Sequence, residues 1–479
     1  MNNKMLLQLG AELLFTFRHG DGPADRAVAD YFRERKFLGS TDRKFISDTF
    51  FQVLRNLRRY DEAMQSSFAN TLATQDSFSA GFPVTSSVGA RAWERAEKKG
   101  EGKPPQLPAD RVVDTIRLGL AAIETESETA ATVGEELSRS WPELPFKRVM
   151  KPETLERMMT RAAEVAAAFR ASEKAADQDR AWSFPMWLWA AIAEGRAPEE
   201  LAELGEAIAQ QAPFTLRVNT LRTTVEDAEA VLRAANLDFA RGEIVDTALV
   251  FNERQPRLSV PNMDKGWFEV QDEGSQLVSL FAAPEAGQTV IDACAGGGGK
   301  SLHLAALMNN TGKIHAFDIE PRRLENLFRR AARTGVAIVD GSIKLGTNGE
   351  LPSRAELADA DLILIDAPCS GTGTLRRNPE VRWTLSRPRL EALKQIQRRL
   401  LDDWADRVKV GGRIVYATCS LLAEENTQQV ARFLKDHPNF EIDAPDRFPV
   451  DLTERWELQL SPHIHGCDGF YAARLVRKS

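Results

Sequence analysis

Cysteine is scarce in this 479-residue sequence: there are four, Cys294, Cys369, Cys419 and Cys467. All fall in the last two-fifths of the chain, which excludes a disulfide-stapled scaffold and suits a reduced, cytoplasmic protein. Histidine is also sparse, six residues, and no C-x-x-C pair occurs, so the thiols are not read as a zinc site and no metal is expected. Apolar runs long enough for a membrane span are missing. The first twenty residues, MNNKMLLQLGAELLFTFRHG, are interrupted by Gln8, Gly10 and Glu12, which favours an amphipathic helix over a cleavable signal. Charge of one sign is not in excess either: Lys+Arg 62 against Asp+Glu 69 gives −7. No membrane surface is favoured as a partner, and RNA contact must come from local basic runs. What is present, 43% hydrophobic and 27% charged residues, suits a soluble chain of roughly two to four domains and excludes wholesale disorder.

Three regions differ in pattern. Residues 1–181 carry apolar positions at helical spacing: Leu6, Leu9, Leu13 and Leu14, then Phe45, Ile46, Phe50, Val53, Leu54 and Leu57 behind a cap at Ser40 or Thr41. An all-α domain is expected, with the polar Lys98–Pro108 segment as a loop within it. Residues 182–265 read as a small α+β module: strand Phe214–Asn219, a helix begun by Thr223 or Thr224, and strand Ala248–Asn252. From residue 266 to 479 the order becomes strand, Gly-rich turn, helix, strand. Thr289–Cys294, Lys313–Ile319, Asp361–Cys369 and Gly412–Cys419 are the strands and Pro388–Trp404 a helix, which predicts an α/β, doubly wound, mostly parallel sheet. Ligands of such sheets lie beyond the carboxyl ends of the strands, where three of the four cysteines fall.

Asp292-Ala-Cys294-Ala295-Gly296-Gly297-Gly298-Gly299-Lys300-Ser301 follows a strand and opens a helix, so its glycines let backbone approach a ligand that helix amides face. The P-loop spacing fails, because Cys294 stands where the first glycine belongs, and the dinucleotide fingerprint fails at Ser301. Asp318, about 20 residues on, suits a ribose. An adenosyl group without pyrophosphate fits these facts better than ATP or NAD; a tight turn with packing glycines is the plain alternative.

Cys369 and Cys419 each end a strand just before a loop, and Cys369 lies three residues after Asp366. One such cysteine reads as a small buried hydrophobe; two on the ligand edge of one sheet point to chemistry. Carbon 5 of a pyrimidine is a poor nucleophile until a thiolate adds to carbon 6, so a thiolate with a nearby acid is what methylation there requires.

The segments DACAGGGGKS, FDIEPRRL, DAPCSGTGTLRRNPEVRW and YATCSLLAEEN together resemble the bacterial ribosomal RNA (cytosine-5)-methyltransferase family, small-subunit type. SFPMWLW, LRVNTLR, WFEVQDEGSQL and DGFYAARL are similar to family segments as well, and Leu38–Arg59 is similar to its N-terminal helical domain, which resembles antitermination-factor RNA-binding domains. The resemblance implies a Rossmann-like S-adenosylmethionine domain, with Cys419 as nucleophile, Cys369 assisting release of the methylated base and Asp366 at the polar edge of a flipped cytosine. It further implies Cys294 to Lys300 around the cofactor, Lys300 also close to the reacting centre, and Asp318 on the ribose. Two departures stand out. The family commonly has a proline where this chain has Gly297 or Gly298, and between Gly335 and Glu350, where an aspartate usually meets adenine, Asp340 is the one candidate and the contact is unassigned. Cys467 matches no family role and is expected to be structural.

Two basic runs are candidate phosphate contacts: Arg33 to Arg59, with eight cations against three acids, and Arg376 to Arg399, with eight against two. Solvated helix faces are the plain alternative, and Arg382 and Trp383 either clamp a base or anchor a helix. The expected activity is methyl transfer from S-adenosylmethionine to carbon 5 of a cytosine in rRNA by a monomer. The rivals are a tRNA cytosine-5 methyltransferase, a non-catalytic ribosome-assembly factor, and a small-molecule or protein methyltransferase.

Overall fold

Along the strand Ala360–Asp366, Leu362 and Leu364 point one way and Ile363 and Ile365 the other. In the computed structural model both sets are buried in separate apolar clusters. The structure describes residues 3–18, 23–68, 109–124, 129–133, 152–170, 178–251, 260–343, 345–346, 349–445 and 447–479; the Lys98–Pro108 segment lies outside them. Packing groups the chain into two compact units, Met1–Ala209 with Asn378–Thr384, and Gln210–Arg377 with Leu385–Ser479.

The described part of the first unit is helical throughout, including Asn3–Arg18, Ala24–Glu34, Ser40–Phe68, Ala109–Glu124 and Pro152–Arg170. Its core holds Leu13, Leu14, Ile46, Phe50, Val53, Leu54 and Leu57, the residues that carry the helical spacing. The cap of the third helix sits one residue earlier than expected: Ser40 is already helical, and the Gly39 N–H donates to Asp42 Oδ2 at 3.1 Å. An acid three residues in thus reaches back to the amide that a serine at the cap would leave exposed.

The second unit opens with a four-stranded antiparallel sheet in the order β2-β3-β1-β4, made of β1 (Phe214–Val218), β2 (Ala240–Arg241), β3 (Ala248–Phe251) and β4 (Phe268–Val270). The helix Val225–Ala234 is capped by Thr224, whose Oγ1 accepts from the Asp227 N–H at 3.1 Å. Glu269 on β4 pairs with Arg330 at 2.5 Å and with Arg333, both on the helix Pro321–Thr334, and Asn219 Nδ2 donates to the carbonyls of Gly266 and Thr334. These buried bonds fasten the small sheet to the large one. The packing boundary at Ala209 accordingly falls inside the segment 182–265.

The large sheet runs β10-β12-β9-β8-β5-β6-β7, with β11 beside β12. Its strands are β5 (Thr289–Asp292), β6 (Lys313–Ala316), β7 (Val339–Asp340), β8 (Ala360–Asp366), β9 (Val408–Thr418), β10 (Phe440–Ile442), β11 (Leu458–Leu460) and β12 (Phe470–Arg477). Pairings from β7 through β6, β5 and β8 to β9 are parallel, and those made by β12 are antiparallel. The doubly wound, mostly parallel α/β fold is therefore present, preceded by α+β and all-α parts. The helices Glu273–Ala282 and Gly299–Leu307 cover one face, and Arg387–Ala405 and Thr427–Asp436 the other. The chain proceeds from β5 outward to β7 and returns to β8 on the other side of β5. That switch point is where such sheets bind ligands.

Among the described residues, neither basic run forms a free cationic stripe. Arg382 and Arg376 are buried, and Arg377 bridges Asp272 and Asp468 at 2.6 Å each. Arg387 and Lys394 pair with Glu424, and Arg399 with Asp403, leaving Arg389 and Arg398 exposed. In the earlier run Arg33 pairs with Asp30, Arg35 with Glu12, and Arg59 with Glu124, while burial pushes the Arg55 guanidinium down to about 10. Lys36 and Lys44 are exposed. A count along the chain misses acids that arrive from other elements.

Candidate active site

The turn after β5 is shaped by backbone. Gly296 and Gly298 take φ of +54° and +87°, which side-chain-bearing residues rarely adopt, and a Cβ on Gly296 or Gly299 would meet no atom within 4 Å. Gly298 lies outside proline's φ range, whereas Gly297 is not among the positive-φ glycines, and its carbonyl accepts from Arg330 Nη1 at 2.5 Å. Ala295 is buried and Cys294 half-buried. Burial, then the charges of Asp292, Asp366 and Asp318, pushes the Cys294 thiol well up, so it stays neutral. Asp318 lies just beyond β6, where Oδ2 accepts from the Gly296 N–H at 3.0 Å and Oδ1 from the Glu320 N–H at 2.8 Å. Two of its roughly four acceptor positions remain for a ligand's hydroxyls. Asp340, at the end of β7, accepts from the Ser342 N–H and pairs with Lys313 at 2.9 Å; these bonds hold its carboxyl well below the usual range.

Across the switch point, Lys300 Nζ meets Asp366 Oδ2 at 2.6 Å and lies 5.1 Å from the centroid of the Phe470 ring. Burial acts to lower the Lys300 pKa, but Asp366, Cys419 and Asp292 outweigh it and hold the ammonium above its ordinary value. Beneath the turn, burial pushes the Asp292 carboxyl up to about 7 against the pull of the Ser301 hydroxyl, which donates to Oδ2 at 2.6 Å.

The two strand-end thiols converge: Cys369 Sγ and Cys419 Sγ stand 3.4 Å apart, both half-buried. The hydrogen bond to Cys419, then burial, then the charges of Cys419 and Glu425 push the Cys369 thiol well above its ordinary value. Two sulfurs this close cannot both ionise without strong repulsion. Cys467 is buried.

Several residues that hold this arrangement are not legible in the motifs. Glu425 is fully buried and accepts four hydrogen bonds, two of them from Ser370 and one from Ser420. Asn426 accepts from Thr418 Oγ1 at 2.6 Å and donates to the Ser420 carbonyl at 2.8 Å. An acid in the turn AEEN reads as solvated; the signal was its position directly after a motif that must hold still. Arg382, considered as a base clamp, is an anchor instead. Its guanidinium donates to the carbonyls of Arg55, Trp182 and Ile208, and Trp383 Nε1 donates to Leu54 at 2.7 Å.

A model of the 16S rRNA methyltransferase RsmB/F family matches residues 279–476, and one of the RsmF/B-like ferredoxin-like domain matches residues 184–257. The probable ribosomal RNA small subunit methyltransferase B of Synechocystis sp. is 33% identical over 305 residues, 62% of this chain and 67% of that protein. The chain belongs to the RsmB/F family. A second RsmB/F relative, the ribosomal RNA small subunit methyltransferase B of Klebsiella pneumoniae, is 32% identical over 305 residues, 63% of this chain and 68% of its own length. Among solved structures, PH0851 superposes with a TM-score of 0.71 at 24% identity over 98% of this chain and 99% of its own, a likeness of fold. A methyltransferase homolog from Pyrococcus horikoshii gives 0.54 at 28% identity over 64% and 100%. As an RsmB/F member the chain is a methyltransferase. Among the described residues, no helix is long and apolar enough to cross a membrane and no group of three or more His, Cys, Asp or Glu is placed to hold a metal ion.

Proposed function

We propose that the protein transfers a methyl group from S-adenosylmethionine to carbon 5 of a cytosine in small-subunit rRNA, acting as a cytoplasmic monomer. The observation that carries this reading is the 3.4 Å approach of Cys369 and Cys419 on the same sheet edge as the Lys300–Asp366 pair. The glycine turn and Asp318 suit the cofactor: open space at Gly296 and Gly299 admits a ligand against backbone, and Asp318 retains acceptor capacity for a ribose. When bound there, S-adenosylmethionine supplies the methyl group as an electrophilic sulfonium.

Cys419, as thiolate, adds to carbon 6 of the cytosine, which places the displaced electron pair at carbon 5 facing the donor. Asp366, paired with Lys300, meets the base's polar edge and orients it while the adduct forms. With the Cys419 charge consumed in the neutral methylated adduct, Cys369 releases its own proton to solvent and, as thiolate, accepts the proton leaving carbon 5. The electron pair of the broken C–H bond then expels Cys419 as thiolate, restoring the ring. A ribosome-assembly factor without turnover has no use for two thiols so placed.

Bisulfite mapping of rRNA and tRNA from cells with and without the protein tests the reading. One cytosine in small-subunit rRNA should lose protection when the protein is absent. Loss confined to tRNA would move the substrate, and no loss in any RNA, with cofactor binding intact, would leave a binder.

A further inference from the structure

Glu425 is a buried acid that bonds to both cysteine loops. It is wholly buried, and among the described residues no lysine or arginine reaches it. Oε1 accepts from the Ser370 N–H at 2.8 Å and from Gln397 Nε2 at 3.0 Å; Oε2 accepts from the hydroxyls of Ser370 and Ser420, each at 2.5 Å. All four partners donate, which fills the acceptor positions of a carboxylate. Ser370 directly follows Cys369 and Ser420 directly follows Cys419. Neighbouring bonds repeat the pattern. Thr372 Oγ1 lies 3.2 Å from Ser370 Oγ and 3.1 Å from Ser420 Oγ, and it accepts from the Leu421 N–H at 2.9 Å. One side chain therefore binds the residue after each thiol, on loops 50 positions apart in the chain.

We propose that Glu425 is a positioning residue for the two-thiol reaction: it ties the Cys369 loop to the Cys419 loop, so fixing the sulfur spacing, and its negative charge sorts the thiols into nucleophile and proton holder. The proposal rests on the cytosine reading above for its purpose, but its physical content does not need RNA. A buried negative charge raises the cost of ionising whichever sulfur it acts on more strongly. Glu425 acts on Cys369, adding to the hydrogen bond with Cys419, to burial and to the charge of Cys419; Tyr416 on β9 also faces Cys369. On the other side Lys300, the one cation among these groups, acts on Cys419. The buried acid thus acts on Cys369 and the Lys300 ammonium interacts with Cys419, so the two thiols stand in unlike surroundings.

Two substitutions separate the mechanical part from the electrical one. Glu425→Gln keeps length and shape and can still accept from the Ser370 N–H and donate to a serine hydroxyl, but it carries no charge. Glu425→Ala removes the bridge. Two readouts apply to the full-length protein without RNA or cofactor. The first is the pH profile of iodoacetamide alkylation at Cys369, resolved by peptide mass spectrometry in a Cys419→Ser background. The second is the rate at which diamide oxidises Cys369 and Cys419 to a disulfide when both thiols are present.

The expected result is that Glu425→Gln shifts the alkylation midpoint of Cys369 down by about one pH unit while leaving disulfide formation near the parent rate. Glu425→Ala should slow disulfide formation by about tenfold or more, as expected when a fixed spacing becomes a searched one. In methyl transfer, Glu425→Gln should lower kcat with KM for RNA unchanged, the split of a residue acting on the thiols and not on substrate binding. An alkylation profile unmoved by Glu425→Gln, or a disulfide rate unmoved in a folded Glu425→Ala protein, overturns the proposal. Should Glu425→Ala fail to fold, the Glu425→Gln profile alone decides it. If instead the thiol readouts respond as stated and the parent protein methylates no cytosine, the clamp stands and the substrate reading falls.

Discussion

Around Cys369 and Cys419 the chain is held by side chains; around Gly296 to Gly299 it is held almost wholly by backbone. The cysteine loops share a buried carboxylate, four hydroxyls and an asparagine, closely bonded to one another. The glycine turn has two left-handed residues, one contact to Asp318 and one to Arg330, and open space beside Gly296 and Gly299. Both lie on the carboxyl edge of one sheet. Groups that form and break a bond must keep their positions to a fraction of an ångström. A turn that wraps a cofactor must admit it and release the spent form in every cycle, so it trades side-chain fixation for shape.

The largest expected effect tests the rigid side. Cys419→Ala should reduce methyl transfer to RNA on the order of a thousandfold or more, measured with labelled cofactor, because Cys419 is the group proposed to add to carbon 6. Cofactor binding should survive, since the thiol does not shape the turn.

On the backbone side, Gly298→Ala imposes a Cβ at φ +87° and 2.6 Å from Leu327 Cγ. The strain should lower stability by about 1–3 kcal/mol, read as a fall in melting temperature. Asp318→Ala should weaken cofactor binding by roughly 1.5–3 kcal/mol in calorimetry through loss of charge-assisted hydrogen bonds, with the sulfur spacing untouched. Unchanged affinity would remove Asp318 from the site and blur the contrast between the two regions.

The smallest effect concerns Asp292, whose carboxyl is raised to about 7 by burial beneath the turn. The folded protein holds a proton there that the unfolded chain has already lost, so this group's contribution to stability is present at low pH. It is lost progressively as pH rises from about 4 through about 7. The melting temperature should fall more between pH 5 and pH 8 for the parent than for Asp292→Asn, which mimics the protonated form. Parallel curves for the two proteins would contradict the shift.

Much of this architecture was legible in the sequence because it depends on local pattern. Val290 to Asp292 and Leu362 to Asp366 announce buried parallel strands, and a glycine run before a helix announces the turn. Asp318 follows from strand spacing. The antiparallel strand Phe470–Arg477 was legible as a family segment only, since an apolar run does not reveal its direction. Arg382 and Glu425 were opaque for a common reason. A charged side chain in a polar stretch reads as exposed, and its burial depends on donors and acceptors brought by distant segments, such as Leu54 and Arg55 for the RW pair and Ser370 for the glutamate. The same reason hid the ion pairs within the basic runs, whose acids Glu424, Asp272 and Asp468 arrive from elsewhere.

The most direct test of unequal roles for the two thiols is an adduct assay. Cys369→Ala and Cys419→Ala proteins are incubated with S-adenosylmethionine and unmodified small-subunit rRNA and run on a denaturing gel. Cys369→Ala should give a slow, denaturation-resistant protein–RNA band, because carbon 6 is attacked but release is impaired, and Cys419→Ala should give none. A band from Cys419→Ala and not from Cys369→Ala would reverse the assignment, and no band from either would contradict covalent catalysis at this pair.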